Sequence, residues 1–72
     1  MENLSLEERH LLRLLVESKR GGAASMEVRG PMSLAAAHAL EKKGLAKWHG
    51  ASWGTHFYYV TDEGLQIPLT FK

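Results

Sequence analysis

The feature that most constrains this chain is a change of period at Gly44. Before it, apolar residues recur at helical spacing. After it, aromatic and β-branched residues crowd into two short runs, Leu45–His49 and His56–Val60. Side chains share a helix face every third or fourth residue but a strand face every second, so one pattern cannot serve both. The chain is therefore expected to be α+β, with helices first and a β-hairpin last. Ala35, Ala36, Ala37 and Ala39 fill the segment before the switch, and alanine is the strongest helix former. Gly30-Pro31 opens that helix, because proline's missing N–H would have had no partner in the first turn anyway. Lys42 and Lys43 suit the negative end of the helix dipole, and Gly44 supplies the residue that leaves the helix. The helix predicted on these grounds covers 32–43.

An earlier helix is predicted over 6–19. Ser5 is a good N-cap, and Glu8 three residues later completes a capping box. Gly21-Gly22 ends the helix behind Lys19 and Arg20. Its apolar residues Leu11, Leu12, Leu14, Leu15 and Val16 cover an arc of roughly 200°, wider than one packing face needs. The surplus, Leu12 with Leu14 or Val16, predicts a symmetric dimer surface, with 65–71 as a further element of it. The competing expectation is that the tail of the same chain covers it. Between the helices, 25–29 reads either as a short helix capped by Ser25 or as a short strand. The hairpin spans 45–60, with Gly50–Gly54 as a loop of about five residues. In its second strand His56, Tyr58 and Val60 share one face, and Phe57 and Tyr59 the other. Residues 65–72 read as a tail, where Pro68 argues against a central strand.

Seventy-two residues suit one domain with a modest core. Without cysteine, disulfides and thiolate metal sites are excluded. The N-terminal residues lack a basic segment followed by an apolar run, and no apolar stretch is long enough to span a bilayer; the expectation is a cytoplasmic protein. Nothing suggests catalysis: the serines lack a nucleophile-elbow context and the carboxylates lie on helix surfaces. No cofactor is expected. His49 and His56 face each other across the expected hairpin, but two histidines are too few ligands for a metal. Nine Lys or Arg against eight Asp or Glu leave a net charge of +1, well short of the basic surplus of a strongly DNA-dependent domain.

Two phrases at compatible spacing carry a resemblance. Leu40-Glu41-Lys42-Lys43-Gly44-Leu45 is followed by the hairpin, which closes on Tyr59-Val60-Thr61-Asp62-Glu63-Gly64. Together they cover about half the chain, 33–65, and resemble the recognition-helix-and-wing segment of winged helix-turn-helix regulators of the MarR and PadR type. The resemblance implies a three-helix unit with a two- or three-stranded wing, and a small DNA-binding transcriptional regulator. The 32–43 helix would enter the major groove, and the hairpin would touch backbone or minor groove. The residues so placed are Ser33, Ala35, Ala36, His38, Ala39, Lys42 and Lys43 on the helix, and Lys47, Ser52, Trp53 and His56 on the hairpin. Base reading favours Arg, Lys, Asn or Gln with bidentate reach, whereas the centre of this helix face is small and apolar. That composition keeps a second expectation open, a winged-helix module that binds a partner protein through the alanine-rich face and Trp53. The two tryptophans have a purely structural reading as well, as cross-strand packing in the hairpin.

Overall fold

The structure is a computed structural model that describes residues 4–67. In chain order it contains helix α1 (Leu6–Arg20), strand β1 (Met26–Val28), helix α2 (Pro31–Lys42), strands β2 (Ala46–Ser52) and β3 (Thr55–Val60), and the one-turn helix α3 (Asp62–Leu65). The strands form one antiparallel sheet in the order β1-β3-β2. The α+β class is as expected, and both long helices fall within one residue of their predicted ends. The segment at 25–29 takes its strand alternative. The described helices accordingly number three, but the third follows the sheet, and none stands between α1 and α2.

Local chemistry explains the helix ends. The Ser5 hydroxyl accepts from the Glu8 N–H at 3.2 Å, and a Glu8 carboxylate oxygen accepts from the Ser5 N–H at 3.2 Å. That is the predicted capping box. Both long helices finish in the same C-terminal motif. After α2 the Leu45 N–H donates to Leu40 O and the Gly44 N–H to Glu41 O, while Gly44 takes φ +78°. After α1 the Ala23 N–H donates to Ser18 O and the Gly22 N–H to Lys19 O, with Gly22 at φ +94°. Glycine takes this left-handed conformation without a Cβ clash.

The two long helices pack on each other. α1 also lies against β3 and α3, and α2 against β2 and β1. The core gathers Leu11, Leu12, Leu15 and Val16 from α1, Ala36, Ala37 and Leu40 from α2, and Val28, Leu45, Ala46, Tyr58 and Val60 from the sheet region, with Leu34, Leu65 and Ile67 packed around it. This corrects the dimer surface expected at Leu12 and Val16. Leu12 is 0% exposed and Val16 7%, both inside the chain's own core, because α1 meets α2, β3 and α3 and so needs a wide apolar arc. Leu14 alone of the three remains at the surface. Beyond Ile67, the expected tail lies outside the described residues.

The hairpin also differs from expectation. Its loop is two residues, Trp53-Gly54, not five. Gly50, Ala51 and Ser52 continue β2 and pair with Phe57, His56 and Thr55. Gly50, expected to open the loop, sits at a β-bulge instead: the register slips between Trp48, opposite Tyr58, and Gly50, opposite Phe57. His49 is the extra residue, and glycine beside a bulge is a recurrent use of glycine in strands.

Candidate nucleic-acid interface

The surface assembled from the sequence lies on α2 and the outer half of the hairpin. On α2, Met32, Ala35, His38 and Lys42 are exposed, and Ser33 and Ala39 are half-buried. Ala36 does not belong with them: it is 5% exposed and belongs to the core. At about 100° per residue, Ala36 follows Ala37 and Leu40 round the side that packs on α1. His38 Nδ1 lies 3.8 Å from a Glu41 carboxylate oxygen, so an acid flanks the helix face. The N-cap of α2 is Gly30, at φ +88°, which offers no side-chain acceptor to the first turn.

The lysines separate into two kinds. Lys43 is tied across the molecule: its ammonium donates to Glu8 at 2.7 Å. The same Glu8 oxygen accepts from the Ser5 N–H. The Lys43 hydrogen bond, aided by that of Ser5, holds the Glu8 carboxyl below the usual carboxylate range against the opposing effect of burial. Lys43 is thus a clamp between the end of α2 and the start of α1, which sequence proximity could not reveal. Lys42 and Lys47 stay exposed.

On the hairpin, Lys47 pairs with Tyr59, and Ser52 with Thr55 beside the turn. Trp53 is fully exposed at the tip, with φ +53°. Gly54 follows at φ +77°, so both turn residues are left-handed, as a type I′ turn requires. Trp48 is half-exposed opposite the buried Tyr58, in keeping with cross-strand packing; Trp53 packs on nothing. Burial, followed by the charge of Glu41, pushes the Tyr58 hydroxyl up. His49 and His56 do not face each other. His56 lies opposite Ala51 and Val28, on the Tyr58 side, while the His49 ring meets Tyr59 edge-on at 5.9 Å. No group of three or more His, Cys, Asp or Glu side chains gathers among the described residues, and no helix among them is long and apolar enough to cross a membrane.

The two phrases that carried the resemblance touch each other. The Thr61 hydroxyl donates to Gly44 O at 2.6 Å, the Thr61 N–H donates to Leu45 O at 3.1 Å, and the same hydroxyl accepts from the Gly64 N–H at 3.1 Å. Gly64 is buried, and a Cβ there would meet the Leu45 carbonyl and approach Val60 Cγ2 to 2.6 Å. The phrases therefore have a structural cause: they lock the end of α2 to the end of β3. What sequence reasoning missed is the exposed Leu6, which stands at a helix start where the capping residues decided the reading. Compared with known protein families, with curated proteins and with solved structures, the chain finds no match.

Proposed function

We propose that the chain is a small winged-helix DNA-binding regulator, with α2 as the groove helix and the β2–β3 hairpin as the wing. The order α1-β1-α2-β2-β3 with a β1-β3-β2 sheet suits such a layout, with α2 leading directly into the hairpin. The observation that carries the reading is Trp53. A left-handed, non-glycine turn residue costs of order 1 kcal/mol, and here a fully exposed indole returns no packing. A residue that strains the fold and touches nothing in it is explained by what it touches outside. At a wing tip, a flat apolar ring can wedge at or stack on bases in a groove. Lys42 and Lys47 then hold phosphates, while Ala35 and Ala39 permit close approach of α2 and allow contact with a thymine methyl. Few cations and no bidentate side chains make the binding modest in affinity and led by DNA shape.

The test is a chemical-shift titration of labelled protein with a random-sequence duplex, first at low and then at moderate salt. Salt-sensitive shifts confined to 33–42 and 47–56 support the reading, with a log–log salt slope of about −2 for two phosphate contacts. No shifts at any salt would sink it. A second reading, docking of a partner protein on the same face, is favoured by one specific observation: Lys43, expected at a phosphate, is spent on Glu8. Binding to a partner through Ala35, Ala39 and Trp53 would be nearly independent of salt.

A further inference from the structure

Of the chain's eight acidic residues none lies between Glu41 and Asp62, and the charged side chains of that span are Lys42, Lys43 and Lys47. The hairpin is therefore free of carboxylates, which suits a surface that faces a polyanion. Its tip is narrow. Ser52 pairs with Thr55 across the two-residue turn Trp53-Gly54, and the neighbours Ala51, Ser52, Gly54 and Thr55 are all small. The Trp53 indole is the one bulky group there, fully exposed on a residue with φ +53°. A type I′ turn matches the twist of its strands, so the ring stands on a short, well-defined stalk. We propose that Trp53 wedges into the minor groove at a TA step and bends the duplex there, an inference that rests on the DNA-binding reading and names how that binding selects its sites.

The chemistry of the ring selects the groove and the step. The minor groove is about 6 Å wide, too narrow for a hairpin but open to the edge of a flat ring. The indole Nε1–H donates a hydrogen bond and the ring has no acceptor. At A·T pairs the minor groove offers only acceptors, adenine N3 and thymine O2, whereas guanine adds an amino donor that the indole cannot match. Among steps made of A·T pairs, TA is flexible and easily unstacked, while A-tracts are stiff. An apolar wedge that opens a step kinks the duplex by roughly 20–90° toward the major groove. Other sources of selectivity are thin on this surface. The exposed residues of α2 include no bidentate base reader, and the Lys43 ammonium donates to Glu8. The cost of deforming the step is then what separates one site from another. Trp48 lies mid-strand opposite Tyr58, back from the tip, and takes no part in the wedge.

The test uses the full chain and two duplexes of equal length with all-A·T centres, one holding a single TA step and the other an A-tract. Anisotropy over a salt series reads binding, energy transfer between labels on the two duplex ends reads the bend, and thermal unfolding is the fold control. The TA duplex is expected to bind about tenfold more tightly than the A-tract and to bend on binding, with the same salt slope for both. Trp53→Asn, which suits the turn, should abolish the bend and the TA preference and weaken TA binding about tenfold, leaving the salt slope unchanged. Trp53→Phe keeps a flat ring and should retain the bend. Equal affinity for the two duplexes, binding without a bend, or a bend that survives Trp53→Asn overturns the inference and leaves the DNA-binding reading standing. No binding to either duplex overturns both and leaves Trp53 to a partner protein.

Discussion

Gly64 leaves no room for a methyl group. A Cβ at that position would run into the Leu45 carbonyl and the Val60 side chain, and a backbone oxygen cannot turn away as a flexible side chain can. Gly64→Ala is expected to destabilise the domain by about 3 kcal/mol, at the upper end for overpacking, seen as a lower denaturation midpoint. Gly44→Ala meets nothing within 4 Å, so its cost is only that of a left-handed φ of +78°, about 1–2 kcal/mol. The contrast between the glycines of the two joined phrases separates steric from conformational need. Trp53 makes the opposite case. Trp53→Asn suits a type I′ turn better and is expected to stabilise the hairpin by about 0.5–1 kcal/mol while weakening whatever the wing contacts. A stabilised variant with undiminished DNA affinity would remove Trp53 from the interface.

At the scale of elements, α1 and α2 are joined at two levels, by the core and by the Glu8–Lys43 pair at 2.7 Å. Because the folded Glu8 carboxyl ionises at lower pH than it does in the unfolded chain, its contribution to stability is complete above about pH 4.5, the ordinary carboxylate value. It is lost as pH falls through the lowered folded value. Glu8→Gln should therefore lower stability near neutral pH, by about 1 kcal/mol for a weakened cap and clamp, and flatten the acid limb of the stability curve. An unchanged acid limb would mean that the clamp contributes nothing. Between α2 and the hairpin, the exposed lysines carry the electrostatic part of the proposed binding. Lys42→Ala and Lys47→Ala should each reduce the salt slope by about 1, whereas Lys43→Ala should affect stability more than the slope. Filter binding or anisotropy over a salt series checks this.

The whole molecule is a two-layer domain in which α1 and α2 cover one side of β1-β3-β2. Two of its surfaces differ in kind. One, formed by the exposed side of α2 with the hairpin tip, is small-residued and carries Lys42, Lys47 and Trp53. The other, beside the α1–α2 groove, exposes Leu6, Leu14 and Met32.

The α+β class, both long helices, their caps and the hairpin were legible in the amino-acid order, because each rests on interactions within a few residues. The capping box, the glycine termini, the alanine propensity and the strand alternation are all of that kind. The candidate surface was legible in part: Ala35, His38, Lys42, Lys47 and Trp53 are exposed as expected. Everything that corrected the reading depends on distant neighbours. Leu12 and Val16 are buried because three elements surround α1. Ala36 turns inward because α1 lies on its side of α2. Met26–Val28 is a strand because β3 presents an edge to pair with, and His49 leaves the ladder at a bulge. Lys43 is engaged because Glu8, 35 positions away, folds back beside it. Local order therefore determined which elements form and where they stop, and packing alone decided which of their faces remain open to a partner.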